Sequence, residues 1–202
     1  MPKLRKNKFV LGVTGNFACG KSTVAGMFRT KDCLVINADR LGHELLSVGT
    51  SAHRKIIKVF GLKILKANRL IDREKLAEIV FKNQAALTKL NRILHPKLIR
   101  QIKLCIRKSN KGIIILDAAL IVEAGLVNLL DKLIVVTAKR KQQILRGEKS
   151  LGLTKKQVNL RIKSQISQKA KLCFADFIID NSGQLSKTAK QVSKIRRQLW
   201  KS

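Results

Sequence analysis

The chain has 202 residues, 45% of them hydrophobic, which suits one main soluble globular domain with insertions. Its 43 Lys and Arg against 12 Asp and Glu give a net charge of +31, but the basic residues run through nearly every segment and aromatics are only 4%. No dedicated base-stacking surface is indicated, so no specific nucleic-acid partner is expected. No apolar run reaches the ~18 residues that span a bilayer, the basic start lacks a signal-peptide core, and the four cysteines lack disulfide or zinc spacing; a cytoplasmic protein without membrane insertion is expected.

In chain order, the apolar run from Lys8 to Thr14 predicts a buried strand. It leads into the Gly-bounded loop "GNFACGKST" and then into a helix, with Val24, Met27 and Phe28 at helical spacing. "CLVIN" (Cys33 to Asn37) predicts a second strand, followed by helical "ADRLGHELL". From about Gly49 to Ser109 the pattern is mainly helical, with Asp72 placed to cap one helix and "HP" (His95, Pro96) expected to interrupt the last. "GIIILDAALIV" predicts a strand ending at Asp117, and "DKLIVVT" another. Two basic helices around "SLGLT", a short strand "FIID" (Phe177 to Asp180) and a C-terminal helix follow; Leu185, Ala189, Val192, Ile195 and Leu199 form one apolar stripe on that helix. Continuous apolar strands separated by helices indicate a parallel sheet covered on both faces.

Gly15, Gly20, Lys21 and Ser22 satisfy G-x-x-x-x-G-K-[ST] between a strand and a helix. In such a loop the backbone N–H groups turn inward on phosphate oxygens, Lys21 reaches the β- and γ-phosphates, and the Ser22 hydroxyl can ligate Mg²⁺. The loop alone would serve an ATPase, a GTPase or a small-molecule kinase. A kinase also needs a group to orient and deprotonate the attacking hydroxyl. Asp39 and Asp117, at the ends of two predicted strands, stand where the carboxyl edge of a parallel sheet faces the phosphates. Helix capping is the other reading of such aspartates.

Taken together, the ordered segments "TGNFACGKSTVA", "INADRLGHELL", "ILHPKLI", "ILDAALIVEAGL" and "ADFIIDNSG" resemble the dephospho-CoA kinase family from about Val10 to Gly183. "RIKSQ", with Arg161 and Gln165, and Lys171 fit as well. The resemblance implies an α/β fold, the P-loop kinase-like three-layer α/β/α arrangement with a parallel central sheet. Residues 8–48 and 110–202 would form the nucleotide-binding core, 49–109 a helical CoA-substrate-binding insertion, and 139–170 lid helices within the core. It implies ATP-dependent phosphorylation of the ribose 3′-hydroxyl of dephospho-CoA to coenzyme A and ADP, the last step of coenzyme A biosynthesis, by a monomer or weak homo-oligomer. Ala18, Cys19, Gly20, Lys21, Ser22 and Thr23 would wrap the ATP phosphates, with Ser22 on Mg²⁺. Asp39 would be the base, and Asp117 would support the metal or the hydroxyl. Arg161 and Gln165 would belong to the lid, Asn181 and Gly183 would lie near the adenine, and His95 and Leu120 would contact substrate.

Some positions depart from the family pattern. Asn37 stands where an Asp is usual, Asn16 and Cys19 where Gly and Ser are, Ala119 where Pro is, and Ser150 where a second lid Arg is. Two other readings accommodate them: a P-loop kinase of another small-molecule or nucleoside acceptor, or a degenerate P-loop protein that binds nucleic acid.

Overall fold

A computed structural model describes residues 8–200. Five strands form one sheet: β1 (Phe9–Thr14), β2 (Cys33–Asn37), β3 (Ile113–Asp117), β4 (Lys132–Thr137) and β5 (Phe177–Asp180). Every neighbouring pair is parallel, and the order is β2-β3-β1-β4-β5. Consecutive residues such as Val10 and Leu11, or Ile114, Ile115 and Leu116, are all at 0% exposure, so both sheet faces are covered. That is why these strands read as unbroken apolar runs rather than as alternation.

The chain divides into two compact units. The first takes the described residues up to Asn37 and those from Cys105 onward, and so contains the whole sheet. In its core, Val24 and Phe28 at helix α1 (Lys21–Met27) and Val192 and Ile195 of the C-terminal helix pack on Leu11, Val13, Ile134, Val136 and Ile179. The second unit, Ala38–Leu104, is helical. It holds α2 (Ala38–Glu44), α3 (Ser51–Phe60), α4 (Arg73–Lys82) and most of α5 (Gln84–Lys108). Its core includes Ile56, Phe60, Ile64, Leu76, Val80, Leu87 and Leu90. Thr50 caps α3 by accepting from His53 N, and Asp72 caps α4 by accepting from Glu74 N and Lys75 N, as its place in the sequence predicts. The segment 49–109 falls mostly within this unit, which also takes in α2.

Between β4 and β5 run α6 (Arg140–Leu151), α7 (Lys155–Lys163) and the short α8 (Gln168–Leu172). Gly152 closes α6 with φ 62°, and Thr154 with Gln157 forms a capping box on α7. A methyl group on Gly147 would collide with Val158, so the glycine is what lets α6 and α7 approach this closely. α9 (Leu185–Leu199) completes the first unit.

Two expectations are corrected. α5 is not interrupted at His95 and Pro96 but runs 25 residues with Pro96 inside it. Proline removes one hydrogen bond and crowds the preceding turn, at about 3 kcal/mol, but buried Leu87 and Leu90 before it and Ile102 and Ile106 after it anchor both halves. In α9, Leu185 is 56% exposed and does not join the packed stripe. It occupies the first helical position, and the inward place one turn on is taken by Thr188, at 0% exposure.

Candidate active site

The sheet order makes β1 the central strand, so the loop leaving its carboxyl end has a strand end on either side. Parallel register aligns these ends: Val13 is matched with Asp117 of β3, and Asp117 with Asn37 of β2. Asn37 uses its side-chain amide to donate to Asp117 Oδ2 at 3.0 Å, and Asp117 is 2% exposed. The amide supplies a donor to a buried carboxylate that a second acid at position 37 would instead repel.

The phosphate loop is held in shape from several sides. Gly20 has φ 87°, and a methyl group there would run into the Asn181 amide, so only glycine fits. The Cys19 carbonyl accepts from Asn181 Nδ2 at 2.8 Å and from Arg146 Nη1 at 3.1 Å. In a planar trans peptide the N–H points opposite to the C=O, so this grip turns the Gly20 N–H away from Asn181 and Arg146. Arg146 also donates through Nη2 to the Asn181 carbonyl at 2.7 Å, and Thr188 Oγ1 donates to Asn181 Oδ1 at 2.9 Å. Asn181, expected near the adenine, is thus first a strut of the loop.

The other end of the loop meets the α7–α8 connection. Phe17 N donates to Gln165 Oε1 at 2.7 Å, Asn16 Nδ2 donates to the Ile166 carbonyl at 3.0 Å, and the Arg161 guanidinium lies 5.5 Å from the centre of the Phe17 ring. Asn16, unusual at its position, therefore adds a side-chain tie that glycine could not. Cys19 is fully buried in the sheet core. Burial pushes its thiol above the ordinary range, against the pull of Lys21, Lys171 and Arg146.

Lys21 is half-buried at the start of α1, and Ser22 and Thr23 beside it are exposed. The structure thus joins Ala18 to Thr23, Arg161, Gln165 and Asn181 in one loop assembly, with Asp117 on the adjoining strand. Gly183 is exposed, and a methyl group there would find only Lys187 Cδ, at 3.9 Å. Leu120 is half-buried just past β3. Asp39 and His95 belong to the second unit: Asp39 is exposed in the first turn of α2, two residues past the end of β2, and His95 is half-buried within α5. Also on α2, His43 Nε2 lies 2.8 Å from Arg73 Nη2; burial and the Arg73 charge hold this imidazole below its ordinary pKa, against Asp39.

Sequence reasoning missed the roles of Arg146 and Thr188 as struts. It also missed an ion pair beneath the loop: Lys171 at 0% exposure lies 3.0 Å from Glu123 Oε1. No periodicity marks a lysine for burial, so a single sequence carries no signal for it.

The glycine cradle and the Lys21 cation fit a group that carries phosphates. The exposed Ser22 hydroxyl suits a hard, oxygen-seeking cation such as Mg²⁺, which takes few protein ligands.

A family model described as dephospho-CoA kinase matches residues 9–187. A dephospho-CoA kinase of Aquifex aeolicus is 41% identical over 190 residues, covering 94% of this chain and 96% of that protein. A crystal structure from Thermus thermophilus superposes with a TM-score of 0.79 at 25% identity, covering 96% of this chain and 100% of the other. The dephospho-CoA kinase structure from Campylobacter jejuni has a TM-score of 0.65 at 31% identity, covering 95% and 97%.

Proposed function

The chain belongs to the dephospho-CoA kinase family, and from that premise we propose that it transfers the γ-phosphoryl group of ATP to the ribose 3′-hydroxyl of dephospho-CoA. The products are coenzyme A and ADP. The observation that carries this reading is the Cys19 carbonyl gripped by Arg146 and Asn181, which holds the phosphate loop in shape. Electrostatic stabilisation of phosphoryl transfer depends on such preorganised donors.

Each side chain then has a task. The amides of Ala18 to Thr23 and the Lys21 ammonium hold the phosphates, and Lys21 offsets charge on the group in transit. Ser22 would hold Mg²⁺, which would supply positive charge to offset that of the phosphates. Asp39 accepts the proton of the 3′-hydroxyl. Asp117, steadied by Asn37, would support the metal or the attacking hydroxyl. Arg161 and Gln165 belong to a lid over 139–170 that excludes water, so that ATP is not spent on hydrolysis. Asn181 and Gly183 belong to the segment near the adenine, while the helical segment 49–109, with His95, and Leu120 of the core take the substrate. We assign the enzyme to the cytoplasm; among the described residues no helix is long and apolar enough to cross a membrane.

The test is ADP release from ATP and Mg²⁺ with and without dephospho-CoA, with adenosine and a nucleoside monophosphate as rival acceptors and Lys21→Ala as control. ADP formation that depends on dephospho-CoA, matches coenzyme A formed and is lost in the control is expected. Folded protein that binds ATP but shows no such dependence would overturn the reading.

A further inference from the structure

Three parts of the first unit converge on one backbone oxygen. The Ala119 carbonyl, two residues past Asp117, accepts from Thr14 Oγ1 at 3.1 Å and from Lys171 Nζ. Thr14 is the last residue of β1, directly before Gly15 of the phosphate loop, and Lys171 lies on α8, at the return from the lid segment. Both donors are at 0% exposure. One peptide earlier, Ala118 N donates to the Val13 carbonyl at 3.1 Å, so the backbone leaving Asp117 is fixed at two successive residues.

A buried ammonium is costly unless paired, and an aliphatic side chain would fill this space without that penalty. Glu123, on the same segment as Ala119, supplies the pairing charge. Ala119 itself does not hold its backbone as a proline would, so beyond the Ala118 N–H bond the restraint at this residue comes from what its carbonyl accepts. The Lys171 charge also acts on Cys19 inside the phosphate loop.

We propose that Lys171 is a positioning residue for phosphoryl transfer: by donating to the Ala119 carbonyl it holds the backbone that leaves Asp117 in register with the end of β1, and so sets the Asp117 carboxylate against the phosphate loop. Lys171 touches no reacting atom in this account. Because the loop itself is shaped by Arg146, Asn181 and Gln165, ATP binding does not depend on Lys171, whereas the chemical step does. The inference rests on the kinase reading above.

The experiment measures kcat and the KM for ATP, per folded molecule, for the wild type, Lys171→Met and Thr14→Val, with melting temperatures alongside. Each variant removes one donor to the same carbonyl with little change in volume. Misplacing a catalytic group by a fraction of an ångström to 1 Å costs rates of about 10- to 100-fold, so kcat in Lys171→Met is expected to fall about that much with KM for ATP within about twofold. Thr14→Val should show the same split to a smaller degree. A wild-type kcat in folded Lys171→Met, whatever its melting temperature, overturns the proposal, because a purely stabilising ion pair would lower stability and leave turnover intact. Should Lys171→Met not fold, Thr14→Val decides: a lower kcat at unchanged KM supports the proposal and a wild-type kcat overturns it. A wild type that does not act on dephospho-CoA would instead remove the kinase reading itself.

Discussion

Asn37 and Asp117 face each other across the β2–β3 register, and the Asn37 amide donates to Asp117 Oδ2 at 3.0 Å. Replacing Asn37 by Asp puts two carboxyl groups within hydrogen-bond distance, where both cannot ionise without repulsion. Asn37→Asp is expected to lose about 1–3 kcal/mol of stability near neutral pH, recovering part of it as the pH falls and one of the two carboxyls takes up a proton. Denaturation of the variant and wild type from neutral to acid pH checks it; a constant deficit would show the amide is not restraining a charge.

Arg146 reaches two carbonyls with two nitrogens, those of Cys19 and Asn181. Lysine cannot reproduce that fork. Arg146→Lys should therefore raise the KM for ATP by roughly tenfold through one lost charge-assisted bond, with a smaller effect on the KM for dephospho-CoA. Steady-state kinetics with each substrate varied in turn separates the two.

Ser150 is exposed on α6, four residues past Arg146 and so on the same helical face. An Arg here would add a guanidinium beside the one already gripping the loop. Ser150→Arg is expected to raise kcat/KM for ATP by about 3- to 10-fold, the size of one partly solvated cation-phosphate contact. No change would mean that the lid's existing cations already suffice.

Cys19 is buried, with its thiol pushed above the ordinary range, whereas Cys173 is exposed. Because the thiolate is the reactive species, a disulfide reagent at neutral pH should modify Cys173 first and leave Cys19 unmodified until the protein unfolds. Mass mapping after a timed exposure tests this, and early labelling of Cys19 would show that the loop opens in the native state.

Burial lowers the Lys171 pKa below the usual lysine range, against the pull of Glu123. The folded chain thus holds this proton less tightly than the unfolded chain. Stability should rise with pH through the window between the lowered value and about 10.4, the unfolded value, with the penalty fully present below that window. Lys171→Met with Glu123→Leu removes both charges and should be more stable than the wild type near neutral pH by about 1–3 kcal/mol. That advantage should shrink as the pH approaches 10. Denaturant titrations across the range measure it.

The elements that bear the site were legible in the sequence wherever a local rule governs them. The inner strands β1, β3 and β4 read as apolar runs because a parallel strand covered on both faces is apolar nearly throughout, and the phosphate loop announces itself by fixed glycine spacing. Pro96 misled because a local helix-breaking preference lost to packing along a long helix. Leu185 misled because periodicity says which residues share a face and not how far the core extends along it. The struts behind the loop, Arg146 to Asn181 and Lys171 to Glu123, join residues far apart in the chain, and such pairings leave no trace in local pattern.

The position of β1 at the centre of the sheet also bears on how the protein is made. β1 starts at Phe9, yet its two neighbours start at Ile113 and Lys132, with the whole second unit translated in between. At ribosomal rates of about 5–20 residues per second, the apolar "FVLGVT" waits on the order of 5–25 s with both edges unpaired. Unpaired apolar strands invite association with other chains. A nascent chain this rich in lysine and arginine carries its own electrostatic repulsion against that association.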